Sequence, residues 1–193
     1  MILNIPIALT WVRIALIPLF VVVFYLPDAD AWAWSRPASA IIFAAAAITD
    51  WLDGYLARRW DQTSRFGAFL DPVADKLMVA VALVLIVQAH PRVFVALAAA
   101  VIIGREITIS ALREWMAEIG ERGKVAVSSI GKFKTIIQMV GLSFMLYLRD
   151  IWGLPIYDLG VLLLVVSAGL TLWSMFVYLR GALPIMLGRP GSS

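Results

Sequence analysis

Apolar residues come in six long runs along this chain, approximately 7–26, 37–60, 67–88, 93–112, 131–148 and 158–179. Short polar or proline-bearing stretches separate them: "PDADAW", "RRWDQTSR", "AHPR", "REWMAEIGERGK", "RDIWGLP" and "RGALP". Runs of about 20 residues match the thickness of a bilayer core. A backbone in lipid must satisfy its own hydrogen bonds, so each run predicts a transmembrane helix. The ten-residue alternation of a membrane β-barrel is absent from the pattern. The fold class expected is therefore all-α: a polytopic bundle of six transmembrane helices, residues 1–182, followed by a flexible tail, 183–193. Pro18 lies inside the first run, where it predicts a kink. No small-residue cleavage site follows that run, which predicts a retained span rather than a signal peptide.

Composition agrees with this reading. Of the 193 residues, 62% are hydrophobic and only 15% charged, against about a quarter charged in a soluble domain. The mean hydropathy is +0.91. With no cysteine, disulfide frameworks and thiolate chemistry are excluded. The net charge of +3 matters less than its placement. Arg58, Arg59 and Arg65 join the second and third runs. Arg113, Arg122, Lys124, Lys132 and Lys134 lie between the fourth and fifth, and Arg180 and Arg189 in the tail. The alternate connections hold only Arg36, Arg92 and Arg149. The positive-inside rule then puts both termini and the basic side in the cytoplasm. Trp32, Trp34 and Trp152 fall near the opposite boundary, where interfacial aromatics belong.

One stretch breaks the apolar pattern: "DWLDGYLARRWDQTSRFGAFLDPVADK", from Asp50 to Lys76. Asp50 and Asp53 are three residues apart and share a helical face with Gly54 and Ala57. Asp71 and Asp75, four apart, share a face of the next helix. The short turn between them makes the two helices antiparallel neighbours and lets four carboxylates converge near the cytoplasmic end. Asp61 falls in the turn and drops out. Converging carboxylates repel one another and are costly in a membrane. All are hard oxygen donors, which points to Mg²⁺ or Mn²⁺, two ions balancing four charges. Gly54 and Ala57 leave room for a ligand to lie against the backbone.

The pattern Asp50-x2-Asp53-Gly54-x2-Ala57-Arg58-x8-Gly67-x3-Asp71-x3-Asp75 resembles the signature of the CDP-alcohol phosphotransferase family at all eight specified positions. The resemblance implies a six-helix membrane enzyme of phospholipid biosynthesis that transfers a lipid phosphate from a CDP-linked donor to an alcohol and releases CMP. It implies Asp50, Asp53 and Asp71 as metal ligands and Asp75 as both ligand and general base. It also suggests a homodimer. "NIPIALTWVRIALIPLFVVVFYLP", "GREITISALREWMAE" and "VAVSSIGKFKT" are similar to the bacterial members that take CDP-diacylglycerol as donor and glycerol 3-phosphate as acceptor. That likeness places the chain in a bacterial inner membrane, its active site facing the cytoplasm. No nucleic-acid partner is expected.

A dianionic acceptor needs cations beside the metal centre. Arg105 and Arg113, eight apart, share one face of the fourth helix; Lys132 and Lys134 open the fifth on the same side. These four form the expected pocket for the acceptor phosphate, with Glu106 and Glu114 pairing with the arginines. Thr10 and Arg13, at the cytoplasmic end of the first run, are expected to meet the nucleotide, together with Asp50, Gly54, Ala57, Arg58 and Gly67. The lone histidine, His90, is expected to be a solvated loop residue far from the acids. With no cysteine and no nearby histidine, direct displacement is favoured over a covalent intermediate. Two alternatives remain at this point: another acceptor (inositol-type, serine or phosphatidylglycerol), and, from a different class, a metal or ion transporter.

Overall fold

The structure, a computed structural model, describes residues 5–26, 34–59, 65–120 and 130–186. Within its helices, the side chains of residues 5–7, 51, 53–58, 65, 66, 68, 130–132, 182 and 184–186 lie outside that description. The described residues form six α-helices and no strand: α1 Ile5–Tyr25, α2 Ser35–Arg59, α3 Arg65–Ala89, α4 Val93–Glu118, α5 Ile130–Tyr147 and α6 Ile156–Met186. Each grows from one of the six apolar runs. Among them, Ala8–Tyr25, Val93–Glu118 and Ile156–Gly181 are long and apolar enough to cross a membrane, and α5 contributes a shorter apolar stretch, Phe133–Tyr147. Large apolar side chains also cover the outside, among them Val22, Ile41, Phe69, Val84, Phe94, Phe133 and Trp173. Water does not tolerate an apolar surface of this extent on a monomer, whereas lipid does.

Two helices outrun their expected ends. "REWMAE", expected as connection, continues α4 because Leu112 and Met116, one turn apart, bury against Tyr178 and Leu179 of α6. Packing across the bundle overrides the polar composition of that stretch. Gly120, at φ +79, then takes the left-handed conformation that suits the end of a helix. α6 runs on to Met186, and residues 187–193 of the expected tail lie outside the described residues. Between α5 and α6 the chain reverses through Trp152 (φ 52) and Gly153 (φ 77), bracketed by hydrogen bonds between Ile151 and Leu154. Trp152 is almost fully exposed there, as an interfacial aromatic is.

The packing order determines where space is left. α5 lies closely along α6: Gly160 and Gly141 let the backbones meet, and a Cβ on Gly160 would fall 2.8 Å from the Gly141 carbonyl oxygen. α6 also supports α4, while α2 supports α5 and α3 supports α4. α4 and α5 scarcely touch each other. A cleft opens between them, floored by α2 and α3. The two aspartate-bearing helices, α2 and α3, touch only lightly; α1 packs on both and ties them together. The central core is Phe20, Phe24, Phe43, Met78, Leu83, Ile86, Ile102, Leu142, Met145 and Leu164 with their neighbours.

Candidate active site

The cleft has a volume of about 1160 Å³. Asp50 (α2) and Asp75 (α3) line one side. Arg105, Glu106, Ser110 and Arg113 (α4) and Lys134 (α5) line the other, and Lys76 lies between. Ala47, Ile48, Ile102, Ile103, Met139 and Val140 make the apolar remainder. Three carboxylates and four cations thus share one cavity, largely sorted by sign: two of the acids on α2 and α3, and three of the cations, with Glu106 among them, on α4 and α5.

Each wall carries an internal counter-charge. Arg13, only 1% exposed, reaches from α1 to Asp50 Oδ1 at 2.6 Å. Thr10, equally buried, donates from α1 to Asp71 Oδ1 at 2.5 Å. α1 therefore holds one carboxylate on each of the other two helices. The two residues expected to meet the nucleotide are buried against the aspartates, where they fix the directions of both carboxyl groups. On the basic wall, Glu106 accepts from Arg105 at 2.7 Å and lies 3.5 Å from Lys134 Nζ, which is itself buried. The expected Glu106–Arg105 pair is present and extends to α5. Arg113 projects from the exposed face of α4 into the mouth of the cleft.

Asp71 is bound by Thr10 but is not among the cleft-lining residues. Gly67 is buried in the first turn of α3. Asp53, Gly54, Ala57 and Arg58 fall on the last turns of α2, and Lys132 on the first turn of α5; their side chains are outside the described residues, as are Asp61, Arg122 and Lys124. Asp50, Asp71 and Asp75 offer only carboxylate oxygen, the donor type of magnesium and manganese. Among the described residues no three acids or histidines lie close enough to hold an ion by themselves.

Four polar cleft residues escaped the sequence reading: Lys76, Ser110, Thr135 and the buried Gln138. Lys76 donates to the Ser110 hydroxyl across the α3–α4 contact. The available signal was a lysine and a glutamine inside apolar helices, where polar groups are functional by default. His90 corrects another expectation. It is not freely solvated: its ring packs on Tyr157 with centroids 5.0 Å apart, and its Nε2 is sealed from solvent. The turn at Pro91, closed by Arg92 N–H donating to the His90 carbonyl, folds the ring back toward α6.

An all-helical bundle with an aspartate-and-cation cleft fits what sequence comparison finds. The profile of the CDP-alcohol phosphatidyltransferase family matches residues 3–177, and the chain belongs to that family. Its relatives include proteins named CDP-diacylglycerol–glycerol-3-phosphate 3-phosphatidyltransferase. Those of Salmonella paratyphi A and Salmonella typhimurium are 58% identical over 179 residues, and that of Escherichia coli K12 is 56% identical over the same length. In each case the alignment covers 93% of this chain and 94% of the relative.

Proposed function

We infer that the protein is a CDP-diacylglycerol–glycerol-3-phosphate 3-phosphatidyltransferase, an enzyme of phospholipid biosynthesis that makes phosphatidylglycerophosphate and CMP. The observation that carries this is the sign-sorted cleft, in a chain so similar to relatives of that name. A donor pyrophosphate belongs at the acidic wall with a divalent ion, and an anionic acceptor at the basic wall. Neither wall alone calls for both partners.

Asp75 is the base. It takes the proton of the acceptor's 1-hydroxyl as that oxygen attacks the phosphorus bearing the diacylglycerol group. The bond from this phosphorus to the bridging oxygen breaks, and CMP leaves with that oxygen. Arg13 and Thr10 hold Asp50 and Asp71 in fixed orientation. Arg105, Arg113, Lys132 and Lys134 receive the acceptor phosphate, with Glu106 positioning Arg105 and Lys134. Asp50, Asp53, Asp71 and Asp75 would hold one or two Mg²⁺ or Mn²⁺ ions, which would offset the pyrophosphate charge and that of the leaving CMP. The donor's acyl chains remain in lipid and beside the apolar part of the cleft. All six helices span the bilayer of a bacterial inner membrane, with termini and cleft on the cytoplasmic side; the basic connections support this orientation. A homodimer is the assembly the family likeness favours.

Purified protein incubated with CDP-diacylglycerol and Mg²⁺ should release CMP when glycerol 3-phosphate is added. It should not do so with inositol, serine or phosphatidylglycerol. Release with one of these instead reassigns the acceptor, and metal flux across vesicles without any CMP would turn the reading to transport.

A further inference from the structure

The cations of the cleft are not equally compensated. Arg13 has Asp50, and Arg105 and Lys134 share Glu106. Lys76 has no carboxylate within ion-pair distance among the described residues: its Nζ donates to Ser110 Oγ, and Asp75 reaches it only as a longer-range charge. An ammonium group has three donors and a full charge, and within a membrane bundle both are costly to leave unmet. Ser110 donates its own proton back to the Glu106 carbonyl at 2.6 Å, so its lone pairs are what it offers the lysine. The contact holds the end of a flexible side chain in one place at the wall of the cleft, with two further N–H donors to offer an occupant.

That place has a specific neighbourhood. Lys76 follows Asp75 in sequence, but on a helix consecutive residues point about 100° apart. Asp75 faces the acidic wall, while Lys76 crosses to α4. On α4, Glu106, Ser110 and Arg113 are spaced i, i+4 and i+7 and form one stripe. The Lys76 ammonium therefore sits on the stripe between Arg113 and the Arg105–Glu106 pair, one residue removed in sequence from the base.

We propose that Lys76, braced by Ser110, is a further binding residue for the anionic acceptor, contacting its phosphate on the side nearest the reacting hydroxyl. This rests on the function inferred above. A phosphate supplies a counter-charge at close range and accepts from the two further donors. Because Lys76 and Asp75 are adjacent on one rigid helix, a phosphate held by Lys76 keeps the acceptor hydroxyl close to the base. A lysine serving only to tie α3 to α4 would have no preference between substrates.

The test measures KM for each substrate separately, with Arg113→Ala as the acceptor-side reference. Lys76→Gln should raise KM for glycerol 3-phosphate about 10-fold or more, with KM for CDP-diacylglycerol within about twofold of wild type. Lys76→Arg should recover most of the loss, and glycerol 3-phosphate alone should raise the melting temperature of wild type more than that of Lys76→Gln. Ser110→Ala should produce a smaller rise in the same KM, and it decides the matter if Lys76→Gln does not fold. A rise confined to CDP-diacylglycerol, an equal rise for both substrates, or no change in either overturns the proposal. If wild type itself releases no CMP with glycerol 3-phosphate, the function reading fails first; if wild type is active and the variants match it, only Lys76 is wrongly assigned.

Discussion

The bundle has two polar ends, and they treat charge in opposite ways. At the end away from the aspartates, several polar groups of the described residues are matched singly to a neighbour across a helix contact. Arg92 pairs with Asp158 at 2.8 Å and lies over the Tyr157 ring; Arg36 lies over Phe24; the Tyr25 hydroxyl donates to Gln88. These contacts join α1, α2, α3, α4 and α6 and close the structure. At the aspartate end, like charges are gathered on facing walls of an open cleft. The far end pairs its charges singly across helix contacts, whereas here the counter-charges Arg13 and Glu106 leave an excess of one sign on each wall. Sorting the signs and holding the walls apart makes sense for a site whose occupant brings both a cation and anions.

The strongest way to break this comparison is to change one carboxylate at each end. Asp75→Asn should lower turnover by about 10²–10⁴-fold, the usual contribution of a general base, with nucleotide binding still measurable and the helical content unchanged. Asp158→Asn, in the exposed pair of the far end, should leave turnover within about twofold, since such pairs contribute little. Comparable activity losses in both variants would mean that the two ends are not functionally distinct. Full activity of Asp75→Asn would remove it as the base.

Much of this division is visible in the residues themselves. The i, i+3 and i, i+4 aspartates mark one end because helical periodicity turns spacing directly into a shared face. The cations of α4 and α5 follow from the same rule. What spacing does not carry is the identity of the partner across a contact. α1 binding both aspartate helices, Lys76 crossing to Ser110, and α4 outrunning its apolar segment to bury Met116 on α6 all depend on contacts between distant parts of the chain. His90 was misplaced for a related reason: a turn of two residues decides whether its ring meets water or Tyr157.

A smaller effect separates the ends by stability. Gly160 sits where α6 crosses α5 near the far end, and a Cβ there would fall 2.7 Å from Met145 Cγ and 2.8 Å from the Gly141 oxygen. Backbone atoms cannot move aside as a side-chain tip does, so Gly160→Ala should cost about 1–3 kcal/mol, the range for overpacking. Thermal unfolding in detergent should show the loss, while activity per folded molecule stays near wild type. A variant as stable as wild type would mean that the α5–α6 contact is looser than this geometry requires.

The smallest effect concerns pH at the closed end. Burial first, and then the nearby positive charges of Arg36 and Arg92, hold His90 below its ordinary value of 6.5. The unfolded chain lacks these influences and binds a proton at His90 more readily. Wherever the unfolded state holds more protons, stability rises with pH. The contribution from His90 is therefore complete above about pH 6.5 and declines as pH falls from there through the folded-state value, below which both states are protonated and the loss levels off. The melting temperature in detergent should drop between pH 7.5 and 5.5, and His90→Gln should reduce that drop without altering CMP release at pH 7.5. If the variant shows the same drop, His90 does not carry the pH response.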